Sequence, residues 1–185
     1  MGTRTATATM KVDFRATIVN TLDASSTAAP SVTLGEALTQ TYVTGTVADA
    51  IDRVWSDKGR AITSGNDDDL DFYDLDTVDA GAGAGNDALG QALVFAEITT
   101  IMVHNKSTSA GDLHMGGGSL GATAFSVPFN TVDASLIVIK PGGTFFLDAP
   151  VNPAYAVTNT DNHVMRFTAS GGNVTYDIHI AGRSA

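Results

Sequence analysis

Seven aspartates fall within the fifteen residues Gly65 to Asp79, GNDDDLDFYDLDTVD. Carboxylates at that density are the hard oxygen donors that Ca²⁺ takes, so calcium binding is the first chemistry to test. An EF-hand loop opens D-x-D-x-D-G and closes with a Glu at its twelfth position. Asp67, Asp69 and Asp71 supply the opening, but Phe72 stands where the glycine should be and Val78 stands at the twelfth place. What survives is a looser surface Ca²⁺ site somewhere in Asp67–Asp79, and no other cofactor is expected. The competing reading is a strand. With a period of two, Asp67, Asp69 and Asp71 share a wet face, while Leu70 and Phe72 share a face that enters a core. The strand is the stronger of the two.

Other chemical signals are thinner. Gly117-Gly118-Ser119-Leu120-Gly121 matches G-x-S-x-G, with His163 or His179 as nominal partners for Ser119. A nucleophile elbow needs a strand before the serine and a helix after it. Here glycines precede Ser119 and ATAFSVPF, which reads as a strand, follows. A loop is expected instead. DAGAGAGND (79–87) lacks the third glycine of a dinucleotide fingerprint, because Asn86 occupies its place, and no strand-to-helix context surrounds it. His104, His114, His163 and His179 show none of the paired spacings of a zinc site. Trp55, the single tryptophan, could offer a sugar-stacking platform, but burial is the expectation for it, with Asp52 and Arg53 beside it as a local ion pair or subunit contact. No enzyme activity is expected.

Totals narrow the classes further. The 185 residues suit one domain, or one domain with an arm. Net charge is −10, and the ten basic residues are scattered. Phosphate binding needs clustered Lys and Arg, so nucleic acid is not an expected partner. The apolar runs, such as LIVI at 136–139, are far too short to span a membrane. The segment MGTRTATATMKVDF lacks the apolar core of a signal peptide, so synthesis in a cytoplasm is expected. The chain has no cysteine. Thr and Val are abundant, whereas Glu36 and Glu97 are the only glutamates. Solvated helices carry Glu and Lys on their outer faces, and Thr and Val suit pleated strands. An all-β domain follows.

The positioning elements divide at about residue 50. In TRTATATMKVDFRATIVN, Met10, Val12 and Phe14 share one face and Lys11, Asp13 and Arg15 the other, which predicts a strand or extended arm. TLDASSTAAPSVT reads as a linker. Thr33 with Glu36 forms a capping-box pattern that predicts a short helix over Leu34–Thr39. Residues 1–50 are therefore an N-terminal arm and linker, and 51–185 a β-sandwich. Within the latter, short runs (AIDRVWS, DDLDFYDL, ALVFAEITTIMVHN, AFSVPF, ASLIVIK, GTFFLDAP, YAVTN, HVMRFTA, NVTYDIHIAG) are separated by turn signals. Ser170-Gly171-Gly172-Asn173 predicts a hairpin between Val164–Ala169 and Val174–Ile180.

The order DRVWSDKGRAITSGNDDDLDF, ALVFAEITTIMVHNKST, GGGSLGATAF, IVIKPGGTFFLDAP, AYAV, VTYDIHIAG, spanning about Ile51 to Gly182, resembles small virion structural proteins of tailed bacteriophages. That resemblance implies a jelly-roll-like β-sandwich, a location in the virion, and homo-oligomers, commonly trimers, bound to a major capsid protein or other virion proteins. It implies a capsid decoration (cement) protein first, and a tail, fibre or baseplate component second. It carries no catalytic residues. A Ca²⁺-dependent carbohydrate-binding sandwich is the alternative from another class. An extended arm can add a strand to a neighbour's sheet edge, so Met10, Val12 and Phe14 are the candidate partner-binding residues.

Overall fold

The computed structural model describes residues 8–19, 31–75, 93–116, 120–125 and 136–184. Twelve strands run through them: β1 (Ala8–Val19), β2 (Ser31–Thr44), β3 (Ala50–Ile51), β4 (Arg53–Ile62), β5 (Asp67–Asp71), β6 (Glu97–Asn105), β7 (Asp112–Gly116), β8 (Leu136–Ile139), β9 (Thr144–Asp148), β10 (Tyr155–Ala156), β11 (Val164–Ser170) and β12 (Val174–Arg183). A single 3-10 turn covers Gly121–Thr123. The protein is all-β, as its composition indicates.

Two sheets form the body. In one, β4 pairs with β12 and β12 with β6, while β9 and β10 share the far edge of β6 end to end. In the other the order is β5-β11-β7-β8. Every pairing in these two sheets is antiparallel. Alternation explains how they stack. Met165, Phe167 and Ala169 point inward from β11, and Val174, Tyr176, Ile178 and Ile180 point inward from β12. Phe167 stacks on Tyr176 across the sandwich, ring centroids 4.9 Å apart, and Phe72 meets Phe125 edge-on at 5.0 Å. Trp55 is buried in this core.

The hairpin expected at Ser170–Asn173 proves to be an arch. β11 pairs with β5 and β7, whereas β12 pairs with β4 and β6, so Ser170–Asn173 carries the chain from one sheet to the other. Pro141-Gly142-Gly143 does the same between β8 and β9. Period-two alternation fixes which face is buried but not which sheet a strand joins, so it cannot separate the two connections. The arch is held from outside. The Ser64 amide donates to Asn173 Oδ1 (2.9 Å) and the Gly65 amide to the Ala169 carbonyl (2.8 Å). A Cβ on Gly172 would lie 2.0 Å from the Ala110 carbonyl oxygen, so this crossing needs glycine.

The helix expected over Leu34–Thr39 is absent: these residues lie inside β2, paired in continuous register with β1 from Ala8↔Tyr42 to Val19↔Ser31. The local capping pattern is worth about 1 kcal/mol, and a twelve-pair antiparallel ladder outweighs it. The third sheet, β1-β2-β3, is thus a long two-stranded ribbon with β3 joined parallel at its base. Ser31–Thr33, the end of the expected linker TLDASSTAAPSVT, also lie in β2; the rest of that linker (21–30), the glycine-rich segment 79–87, Ser119 and the run 126–130 lie outside the described residues.

Candidate interaction site

The ribbon is built from alternating apolar and polar residues. At strand rise it extends roughly 40 Å. Even-numbered positions of β1 pair with even positions of β2, so one ribbon face collects Met10, Val12, Leu38 and Tyr42, with Phe14 at the same parity. The other collects Thr9, Lys11, Thr39 and Thr41. Val12 and Leu38 are directly opposite each other and 41% and 61% exposed. Lys11, Ala37 and Thr39, on the opposite face, are exposed too. At this level both ribbon faces are open among the described residues. Of the expected partner-binding residues, Val12 is open to solvent and Met10 is half-buried at the ribbon base. The backbone of Phe14 lies in β1 opposite Glu36, and its side chain is outside the described residues.

The base is tied firmly. Tyr42 is buried and packs with Ile51 and Ala181, with Met10 against them. Its hydroxyl donates to the Asp148 carboxylate, which also accepts from Thr100. Burial, and then Asp148, hold the Tyr42 phenol well above its ordinary range. Gln40 donates to Asp49 (2.8 Å), the Val43 amide to the Asp49 carbonyl (3.1 Å) and Asn152 to the Thr46 carbonyl (3.0 Å). Beneath them lies Arg183, 1% exposed. Its guanidinium donates to Glu97 (2.6 Å) and to the carbonyls of Ala50, Pro150 and Val151 (2.9–3.0 Å). A buried charge is tolerated when its donors are spent in this way. Around the base, Val43, Val47 and Val151 are exposed.

The acidic strand is a different kind of feature. Leu70 and Phe72 are fully buried, as the strand reading requires. The aspartates are partnered rather than merely wet. Asp69 sits opposite Arg166 and accepts two hydrogen bonds of 2.7 Å from it. Asp67 accepts from Thr168 (2.6 Å), and His163 Nδ1 lies 2.9 Å from Asp71. Asp68, on the inner side, accepts from Arg60 (2.7 and 2.9 Å) and from the Tyr176 hydroxyl (2.7 Å). Arg166 also pairs with Asp67 at 3.5 Å, so Asp67 and Asp69 are drawn to a cation they share, while Asp68 and Asp71 are turned to Arg60 and His163. Among the described residues no group of three or more His, Asp or Glu side chains is placed to hold a metal ion; Asp76 and Asp79 lie outside them.

The remaining candidates disperse. His163 is engaged by Asp71, and His179 Nδ1 lies 2.8 Å from Ser56 on the outer face of the β4-β12 pair. Burial, and then Lys58, push His179 below its ordinary value. Asp177, two residues away, is turned to the Gly59 amide (2.8 Å) and Lys106 (3.4 Å), so Ser56, His179 and Asp177 do not form a relay. Trp55, 6% exposed, presents no platform to a sugar. Arg53 pairs with Asp52 at 3.1 Å, as its position beside Trp55 suggests. Sequence reasoning passed over Tyr42, Asp148 and Arg183, and only the tyrosine's place in an alternating strand could have pointed to them. No family model matches this chain, and neither any curated protein nor any solved structure does.

Proposed function

We propose that this chain is a structural component of a virion, a decoration protein that binds the outer surface of a phage head and stiffens it. The observation that carries the reading is the ribbon. A lone two-stranded ribbon is marginal in water, yet this one extends from a well-made body with one face open at Val12 and Leu38 and the other at Lys11 and Thr39. Such an element suits a chain built to clasp a neighbour, with Met10 and Val12 on the contact face. Fold-level analogy adds weight. The strand orders β4-β12-β6-β9 and β5-β11-β7-β8 support reading the sandwich as jelly-roll-like, an architecture of viral capsid domains among others. The function is then mechanical: contact area against neighbouring virion proteins, with no reaction.

Protein mass spectrometry of gradient-purified particles from cells producing this chain tests the reading. The intact chain is expected in the particle band. A variant lacking Met1–Val19 should keep the circular dichroism of the sandwich but leave the band. A chain absent from particles, or equal occupancy by the truncated variant, would overturn the proposal.

A further inference from the structure

We propose that β1 pairs antiparallel with β1 of a second copy of this chain, across a two-fold axis at Phe14. The inference rests on the ribbon being an assembly device, and it names the neighbour. β1 is an edge strand: one side is paired with β2 over all twelve residues, and the other pairs with no described strand.

Charges on an edge strand normally bar pairing. Here they select a register. Two antiparallel copies pair odd positions with odd, and the charges stand at Lys11, Asp13 and Arg15. An axis at Asp13 sets Lys11 against Arg15 twice and Asp13 against itself. Axes at Lys11 or Arg15 set like charges together on the axis. Two arrangements are complementary: an axis at Val12 pairs Lys11 with Asp13 twice, and an axis at Phe14 pairs Asp13 with Arg15 twice. Opposite charges directly across strands stabilise pairing, and like charges oppose it.

Length and body charge decide between these two. The Phe14 axis overlaps Thr9 through Val19, whereas the Val12 axis overlaps only Ala8 through Ala16. The net charge of −10 resides in the body, where seven basic residues beyond Thr44 face seventeen acidic ones. With the axis at Phe14, Met10 of one copy lies opposite Ile18 of the other, and the two anchored bases are separated by about 27 Å along the ribbon. The Val12 axis brings them to about 14 Å. The first spacing exceeds twice the Debye length of ~10 Å at 0.1 M salt, so the acidic bodies are screened from each other.

The pairing also doubles a surface. Even positions of both copies share one face, so Met10, Val12 and Leu38 recur on a single four-stranded ribbon.

The chain is free of cysteine, so single cysteines report the axis directly. Phe14→Cys should give a disulfide-linked dimer under mild oxidation, because a residue on the axis meets its own copy within disulfide reach. Val12→Cys should not. In sedimentation equilibrium the unmodified chain should be a dimer, Asp13→Arg should raise its dissociation constant roughly tenfold or more, and the exchange Asp13→Arg with Arg15→Asp should restore it. A monomer or trimer for the unmodified chain, crosslinking at Val12→Cys instead, or no recovery in the exchanged variant would overturn the proposal. These measurements need only the purified chain. A dimer that is absent from particles would therefore support the pairing while removing the virion reading.

Discussion

Replacing Tyr42 should release the ribbon while leaving the sandwich intact. Tyr42, Ile51 and Ala181 form a cluster separate from the main core, which runs from Trp55 and Ile62 through Phe167 to Ile180. The Tyr42 hydroxyl donates to a carboxylate, and a hydrogen bond to a charged group contributes about 2 kcal/mol. Tyr42→Phe should therefore raise the local opening equilibrium about 30-fold, at 1.4 kcal/mol per decade. Tyr42→Ala also removes the buried ring, and deleting an aromatic side chain costs about 4 kcal/mol. A two-stranded ribbon holds too little stability of its own to absorb that loss. Native-state hydrogen exchange read by peptide mass spectrometry resolves the outcome. Amides of β1 and β2 should exchange progressively faster from Tyr42→Phe to Tyr42→Ala, while β6 and β12 keep their protection. Equal loss of protection in β6 and β12 would mean that the two clusters are one cooperative unit. Unchanged exchange in the ribbon would mean that Tyr42 does not anchor it.

Two further substitutions probe the body. Gly182 sits beside a register shift where β12 meets β6, and a Cβ there would lie 2.1 Å from the Glu97 carbonyl oxygen and 2.7 Å from the Phe95 ring. Gly182→Ala should lower Tm by roughly 5 °C, from an overpacking cost of about 2 kcal/mol; an unchanged Tm would show that the bulge can open. His179 has its pKa lowered by burial first and then by Lys58, so the unfolded chain binds this proton more readily than the folded one. The stability it contributes is present above its unfolded value and lost as pH falls through the folded value. Urea midpoints at about pH 7.5 and about pH 5 should fall less for His179→Gln than for the unmodified chain, and an equal fall would assign the acid sensitivity elsewhere.

Much of the body could be read from one dimension. Burial of Leu70, Phe72, Val174, Tyr176, Ile178 and Ile180 follows from alternation alone, because a strand between core and solvent admits only one register. The choice of sheet could not be read. Ser170–Asn173 and Pro141–Gly143 have the composition of hairpin turns, yet their strands face each other across the core instead of lying edge to edge. Nor could the fate of the acidic run. Arg166 stands 97 residues from Asp69, and no local pattern announces a partner at that distance. The error at Leu34–Thr39 has the same origin in reverse. Its capping pattern is local, while β1, the strand that overrules it, lies beyond the linker.

β12 lies between β4 and β6 at the centre of its sheet, and its His179 meets Ser56 across a separation of 123 residues. Contacts over such spans form late, because the loop must close before they reward it. A nascent chain on the ribosome that has not yet emitted Val174–Arg183 has β4 and β6 without their shared neighbour and leaves the ribbon base without Arg183. Synthesis must therefore pass Arg183 before the body closes. A truncated product would expose unpaired strand edges and inner faces, which marks it for aggregation and proteolysis.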